Sequence, residues 1–240
     1  MPFRSAAHRA PNDPAQYDDL VAQWWRPRGA FAMLHWLAAA RAAVIPPSTG
    51  PDAVLVDLGC GAGLLAPHLG GKGYRHIGVD LSQTALAQAV AHGVSPVRAD
   101  VRFVPLADGC ADVVCAGEIL EHVRDFAAVV AEACRVLRPD GLLVLDTLAD
   151  TWLSRMLAVS VAERLPGGPP PGIHDPALFV DRGRLIECCA DQGVALTLRG
   201  IRPSAVDVAR WLAHRTESVR MLPVGTTAVL FQGWGRKERS

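Results

Sequence analysis

The segment Asp57-Leu58-Gly59-Cys60-Gly61-Ala62-Gly63 constrains the chain most. It follows the apolar run AVLVDL (53–58) and precedes a helical pattern over 62–70, so it reads as a strand-to-helix turn. Glycine tolerates positive φ and lets backbone approach a ligand with no side chain in the way. The helix that follows offers unpaired N–H groups at its start. Strand, glycine-rich turn and helix together open a nucleotide-binding α/β unit. The spacing is G-x-G-x-G, with Leu64 where the dinucleotide fingerprint G-x-G-x-x-G has its third glycine. That departs from a pyrophosphate cradle and suits an adenosine ligand without phosphates.

The rest of the chain supplies a sheet for such a turn. HIGVDL (76–81), SPVRAD (95–100), ADVVCA (111–116) and GLLVLDTL (141–148) predict further strands, and ALTLRGI (195–201) and TTAVLFQGWGR (226–236) the last two. A helix capped by Ser82 and the helical run FAAVVAEACRVL (126–137) separate them, with Pro139-Asp140-Gly141 as a stop. Strands alternating with helices predict an α/β fold with a doubly wound, mostly parallel, seven-stranded Rossmann-like sheet covered on both faces. Residues 14–44 predict N-terminal helices split at Pro27 and Gly29, and IPPSTGPD (45–52) a linker. WLSRMLAVSVAERL (152–165) predicts an amphipathic helix, PGGPPPG (166–172) a turn-rich segment and DRGRLIECCADQG (181–193) another helix. The expected organisation is an N-terminal helical cap (1–50), a ligand-binding core (51–150) and a helical lid or substrate segment with the last strands (151–240), in one domain.

A chain of 240 residues, half of them hydrophobic, buries one sizeable core. Lysine plus arginine (24) equals aspartate plus glutamate (24), so no overall field draws nucleic acid, and none is expected as a partner. The stretch MPFRSAAHRAPNDPAQ lacks the apolar run of a signal peptide. No apolar run approaches the ~20 residues of a membrane span. A cytoplasmic protein is expected. The six cysteines form no CxxC pair, which favours buried thiols over a metal or redox motif.

Three acids mark the expected ligand. Asp57 precedes the glycine turn and can orient an amino-acid end. Asp80, at the end of HIGVDL, lies where a carboxylate accepts from both ribose hydroxyls; without the glycine turn it would read as a helix cap. Asp100 can accept from an adenine amino group, with the Val101 backbone N–H donating to the ring. A phosphate-free nucleoside such as S-adenosylmethionine (SAM) suits this pattern, with Gly59, Gly61, Asp80 and its neighbour Leu81, Asp100, Val101 and Gly117 as the expected contacts. The glycine spacing disfavours a NAD-dependent oxidoreductase.

The ordered set VDLGCGAG, GVDLS, AD, ADVVCAGEILEHV and LRPDGLLVLDTL resembles the class I SAM-dependent methyltransferases. QWWRPRGAFAMLHWLAAAR (23–41) narrows this: through Trp24, Trp25, Gly29, Leu34, His35 and Arg41 it resembles the N-terminal signature of the ubiquinone-biosynthesis O-methyltransferases. GEILEHV (117–123) and, through Gly172, His174 and Asp175, PGIHDPALF (171–179) resemble the same family. The resemblance spans the chain and is strongest over 17–148. It departs at Ala38-Ala39, where the family has Asn-Pro, and at Ile173, where it has threonine.

The resemblance implies that Arg41 receives the methionine carboxylate. It also implies a Mg²⁺ or Zn²⁺ site at Glu118, Glu121 and His122. On a short helix these positions, i, i+3 and i+4, share one face, and a chelated catechol would lose its proton more easily. The alternative is that Glu118 closes the cofactor pocket and the other two are helix charges. His122 is the first candidate general base and His174 the second, with His35 also possible by type. The implied activity is O-methylation of a phenol or catechol on a quinone-like or aromatic small molecule. C- or N-methylation of a secondary metabolite, and a non-catalytic SAM-binding scaffold, are the alternatives. A homodimer is a further expectation, as is peripheral membrane contact through 152–165, with Arg155 and Arg164 beside its apolar face.

Overall fold

The structure is a computed structural model that describes residues 10, 12–161 and 172–239. Its frame is one sheet of β1 (Val54–Leu58), β2 (Arg75–Asp80), β3 (Ser95–Arg98), β4 (Ala111–Gly117), β5 (Leu137–Leu148), β6 (Thr197–Pro203), β7 (Met221–Val224) and β8 (Leu230–Arg236). The spatial order is β3-β2-β1-β4-β5-β8-β6-β7. Strands β1 to β5 pair in parallel, β8 lies antiparallel between β5 and β6, and β7 pairs antiparallel with β6. The doubly wound reading therefore stands. The strand count needs one correction, eight rather than seven, because Met221–Val224 is too short to show alternation. It carries Pro223, which a sheet accepts at an edge.

Alternation along the central strands makes two different faces. Val56, Leu58, Val79, Val114, Ala116, Leu143 and Leu145 face one side, against Phe126, Val129, Val130 and Ala133 of α5 (Phe126–Val136) and Leu185 and Cys189 of α7 (Arg182–Asp191). Leu55, Val113, Cys115, Leu142 and Val144 pack with Ala42 of α2 (Ala32–Val44) and Leu69 of α3 (Ala66–Leu69). Asp125, Asp181 and Ser82 cap α5, α7 and α4 (Gln83–Ala91), each accepting from a backbone N–H in the first turn.

The other elements differ in extent from the sequence reading. The N-terminal region is α1 (Ala15–Asp19), a 3-10 turn at Val21–Gln23, and α2. α3 is shorter than 62–70 because Gly59, Gly61 and Gly63 all hold positive φ, which keeps the loop open as far as Leu65. The helix starting at Trp152 is α6 (Trp152–Arg155), continued as a π-helix over Met156–Val161. The remainder of that predicted helix, with Arg164, and the proline-rich run to Pro171 lie outside the described residues. Sequence reading missed α8 (Ala205–Leu212), whose Trp211 packs edge-on to Trp36 of α2 at 5.4 Å. No helix among the described residues is long and apolar enough to cross a membrane.

Candidate active site

Strand order reverses on either side of β1, so the loops after β1 and β4 part and leave a crevice at the strand ends. A cavity of about 1010 Å³ opens there. Its wall includes Arg41, Asp57, Gly59, Gly61, Asp80, Leu81, Asp100, Val101 and Gly117, so every residue expected to contact the cofactor is gathered in one place. The volume is at the upper end for ligand sites and leaves space for a second molecule beside a cofactor.

Asp80 ties the site together. Its Oδ2 accepts from Gly61 N at 2.8 Å and its Oδ1 from Ser82 N at 2.8 Å, so one carboxylate fixes both the glycine loop and the start of α4. Burial pushes its pKa up, and the two N–H donors oppose that. Each oxygen keeps acceptor capacity for a ribose hydroxyl. Gly61 has φ 53, and a Cβ there would stand 2.7 Å from the Trp24 ring, so both conformation and space require glycine.

Where the methionine end is expected, a row of polar groups is buried on the α2 face. Arg41, Asp57, His76 and Asp146 are all less than a tenth exposed. Arg41 clasps Asp146 through Nε and Nη2, each at 2.7 Å, and His76 Nε2 lies 3.4 Å from Asp57 Oδ2. Asp100, expected at the adenine side, accepts from Arg102 N, Nε and Nη2, which holds its carboxyl below the usual range. An adenine amino group would share Asp100 with Arg102.

The N-terminal region closes over this site as a strap. Tyr17 and Trp24 stack at 5.9 Å and Trp24 and Phe31 at 4.2 Å, all on the cavity wall. Asp18 accepts from Ser82 Oγ and Thr84 Oγ1, and Gln88 Nε2 donates to Val21 O. Asn12 Nδ2 donates to His122 O at 2.9 Å, which turns Asn12 Oδ1 to His122 Nδ1 at 2.6 Å. That oxygen only accepts, so His122 carries its proton on Nδ1 and its Nε2 accepts from Tyr17 Oη at 3.2 Å. Burial raises the Tyr17 pKa, with Glu121 and Glu118 adding, which keeps that hydroxyl a donor.

The expected metal ligands are not carried on one helix. Glu118 holds φ 51, and only a 3-10 turn at Leu120–His122 follows, so the i, i+3, i+4 geometry of a helix is absent. Glu118 lines the cavity, whereas Glu121 is fully buried behind it and accepts from Thr147 Oγ1 at 2.8 Å. His122 engages both ring nitrogens. Among the described residues no three His, Cys, Asp or Glu side chains are grouped to hold a metal ion. As placed, the three side chains do not converge on one point for Mg²⁺ or Zn²⁺, although Glu118 Oε1 and Glu121 Oε1 are both buried without a hydrogen-bond partner.

The two candidate bases do meet. His122 and His174 both line the cavity, with rings stacked at 5.5 Å. Burial pushes His122 down to about 3, with His174 adding to the effect. Glu121 is pushed up to about 7 by burial, and His174 is among the groups opposing that rise. His35, by contrast, is turned to Trp24 O at 2.7 Å.

The Methyltransferase domain family matches residues 56–145. The ubiquinone biosynthesis O-methyltransferase of Thiobacillus denitrificans is 34% identical over 190 residues, covering 75% of this chain and 81% of that protein. The protein of the same name from Methylobacterium sp. is 32% identical over 228 residues, covering 87% and 91%. A SAM-dependent methyltransferase structure from Thermotoga maritima shares the fold with a TM-score of 0.64 at 16% identity, over 93% of this chain and 97% of that one. Relatives of that identity over that length, on a cofactor crevice built this way, mean that the chain belongs to the ubiquinone biosynthesis O-methyltransferase family of SAM-dependent methyltransferases.

Proposed function

We propose that the protein moves the SAM methyl group to a phenol or catechol hydroxyl of a quinone-like or other aromatic small molecule. The observation that carries this reading is the stacked pair His122 and His174 in the wall of the cavity that gathers the cofactor residues. An acceptor hydroxyl between cofactor and imidazoles has both an electrophilic carbon and a proton acceptor in reach. Beyond them the wall turns apolar, with Trp36, Ile201, Val208 and Trp211, which suits an acceptor with an apolar substituent.

The reaction is an in-line displacement. The acceptor oxygen forms a bond to the methyl carbon as the carbon–sulfur bond breaks, and the sulfonium leaves as a neutral thioether. The protein supplies alignment and removes the hydroxyl proton. Burial makes His122 a poor proton acceptor, and its nitrogens are occupied. His174 therefore replaces it as the general base, with Glu121 behind it to balance the charge gained. His122, held by Asn12, forms the stacking wall. No step is routed through a metal.

The test is turnover with SAM and an alkylated catechol, the product resolved by NMR. An O-methyl product is expected, with about 100-fold lower kcat for His174→Ala at unchanged SAM affinity, and turnover that survives EDTA. A methyl on carbon or nitrogen would overturn the O-methylation reading. Activity lost to EDTA and restored by Mg²⁺ would overturn the metal-free route. The exposed side chains Trp152 and Met156, beside an Arg155 that is paired with Asp150, also support peripheral membrane contact; flotation with anionic vesicles should weaken in Trp152→Ser, and equal flotation would dismiss it.

A further inference from the structure

Asp146 is a carboxylate with no exposure, following the apolar Leu142 and Val144 on the same face of its strand. A buried charge of this kind persists only when paired. The register explains the pairing. Asp146 lies opposite Gly117 and Asp57 opposite Cys115, so these positions project to the same side of the sheet, beneath α2. Both Asp146 oxygens accept from Arg41, through Nε and Nη2 at 2.7 Å. Gly117 leaves the space for this, since a Cβ there would stand 1.7 Å from Arg41 Cζ. Arg41 and Asp57 reach the cavity wall, whereas Asp146 is not part of it.

We propose that Asp146 is a positioning residue for the methyl donor: it holds Arg41 flat over Gly117, so that the outer guanidinium edge meets the SAM α-carboxylate while Asp57 takes the α-ammonium. The inference rests on the reading of Arg41 as the carboxylate receptor. A bidentate clasp uses one edge of the guanidinium and leaves the N–H groups of the other. It also keeps Arg41 from closing onto Asp57, which would neutralise the receptor for the amino-acid zwitterion. Only a fixed separation of the two charges can bind both ends.

The experiment compares two ligands by calorimetry. S-adenosylhomocysteine carries the amino-acid end, and 5′-methylthioadenosine lacks it. In Asp146→Asn the affinity for S-adenosylhomocysteine should fall about tenfold or more, with affinity for 5′-methylthioadenosine unchanged. In an Arg41→Gln background Asp146→Asn should add no further loss, because it acts through the arginine. Equal loss for both ligands, or none for S-adenosylhomocysteine, overturns the proposal. Should Asp146→Asn prove too unstable to purify, Gly117→Ala displaces the guanidinium directly and must show the same selective loss. A wild-type protein indifferent between the two ligands would instead overturn the Arg41 reading itself, and the proposal with it.

Discussion

The face of the sheet that meets α5 and α7 and the face that meets α2 and α3 are made from the same central strands, yet they are built differently. On the first, Val56, Leu58, Val114, Leu143 and Leu145 form an unbroken apolar surface. On the second, the apolar surface of Leu55, Val113 and Val144 gives way toward the strand ends to Asp57 and Asp146, with His76 opposite Leu55 and Arg41 of α2 turned to these acids. Period-two alternation lets one strand carry both. The difference teaches where stability and function are stored. Burial on the apolar face holds the strand ends in register, and the polar face uses that register to fix charges that would be destabilising alone.

Three measurements can break or sharpen this contrast. The largest effect is expected on the apolar face. Leu143→Ala leaves a cavity where the side chain is almost wholly buried and should destabilise the protein by about 2–5 kcal/mol, with SAM affinity of the folded fraction unchanged. Denaturant unfolding and calorimetry together decide, and weakened affinity would mean that the faces are not separable. Next is the strand-end acid: Asp80→Ala should lower SAM affinity about 100-fold or more, since hydrogen bonds to a charged group are lost together. Calorimetry with wild-type-like affinity would remove the ribose assignment.

The smallest effect concerns pH at the cavity wall. Burial pushes His122 down to about 3 from the ordinary 6.5, so the fold favours the neutral ring. Its contribution is fully present above about pH 6.5 and is lost as pH falls toward about 3. Between neutral pH and pH 5 the loss should be about 2 kcal/mol. Glu121, pushed up to about 7, acts the other way, its contribution being lost as pH rises through that value. The wild-type curve mixes both. The informative quantity is the Tm difference between wild type and His122→Asn, which should shrink between pH 7.5 and pH 5. A constant difference would show that His122 does not titrate with unfolding.

Much of the cofactor half was legible because its signals are local. The glycine turn, Asp80 at the end of β2 and Ser82 as a cap each announce themselves within a few residues. The helical spacing assumed for the metal reading is absent for a reason equally local: Glu118 at positive φ interrupts it, and only a 3-10 turn follows. Asp146 and Tyr17 went unrecognised because their partners, Arg41 and His122, lie about a hundred residues away in the chain. One signal for Asp146 was present, since a single acid in the apolar run GLLVLDTL demands a cation. α8 and β7 were missed because an eight-residue helix and a four-residue edge strand have too few residues to establish a period.

The strap formed by Asn12, Tyr17, Asp18 and Trp24 bears on kinetics. Trp24 lies over Gly61, and Asn12, Asp18 and Gln88 anchor the strap to three separate parts of the crevice rim. If spent thioether is exchanged for fresh sulfonium past these anchors, the frequency of their rupture sets an upper bound on turnover, however fast the methyl group itself moves.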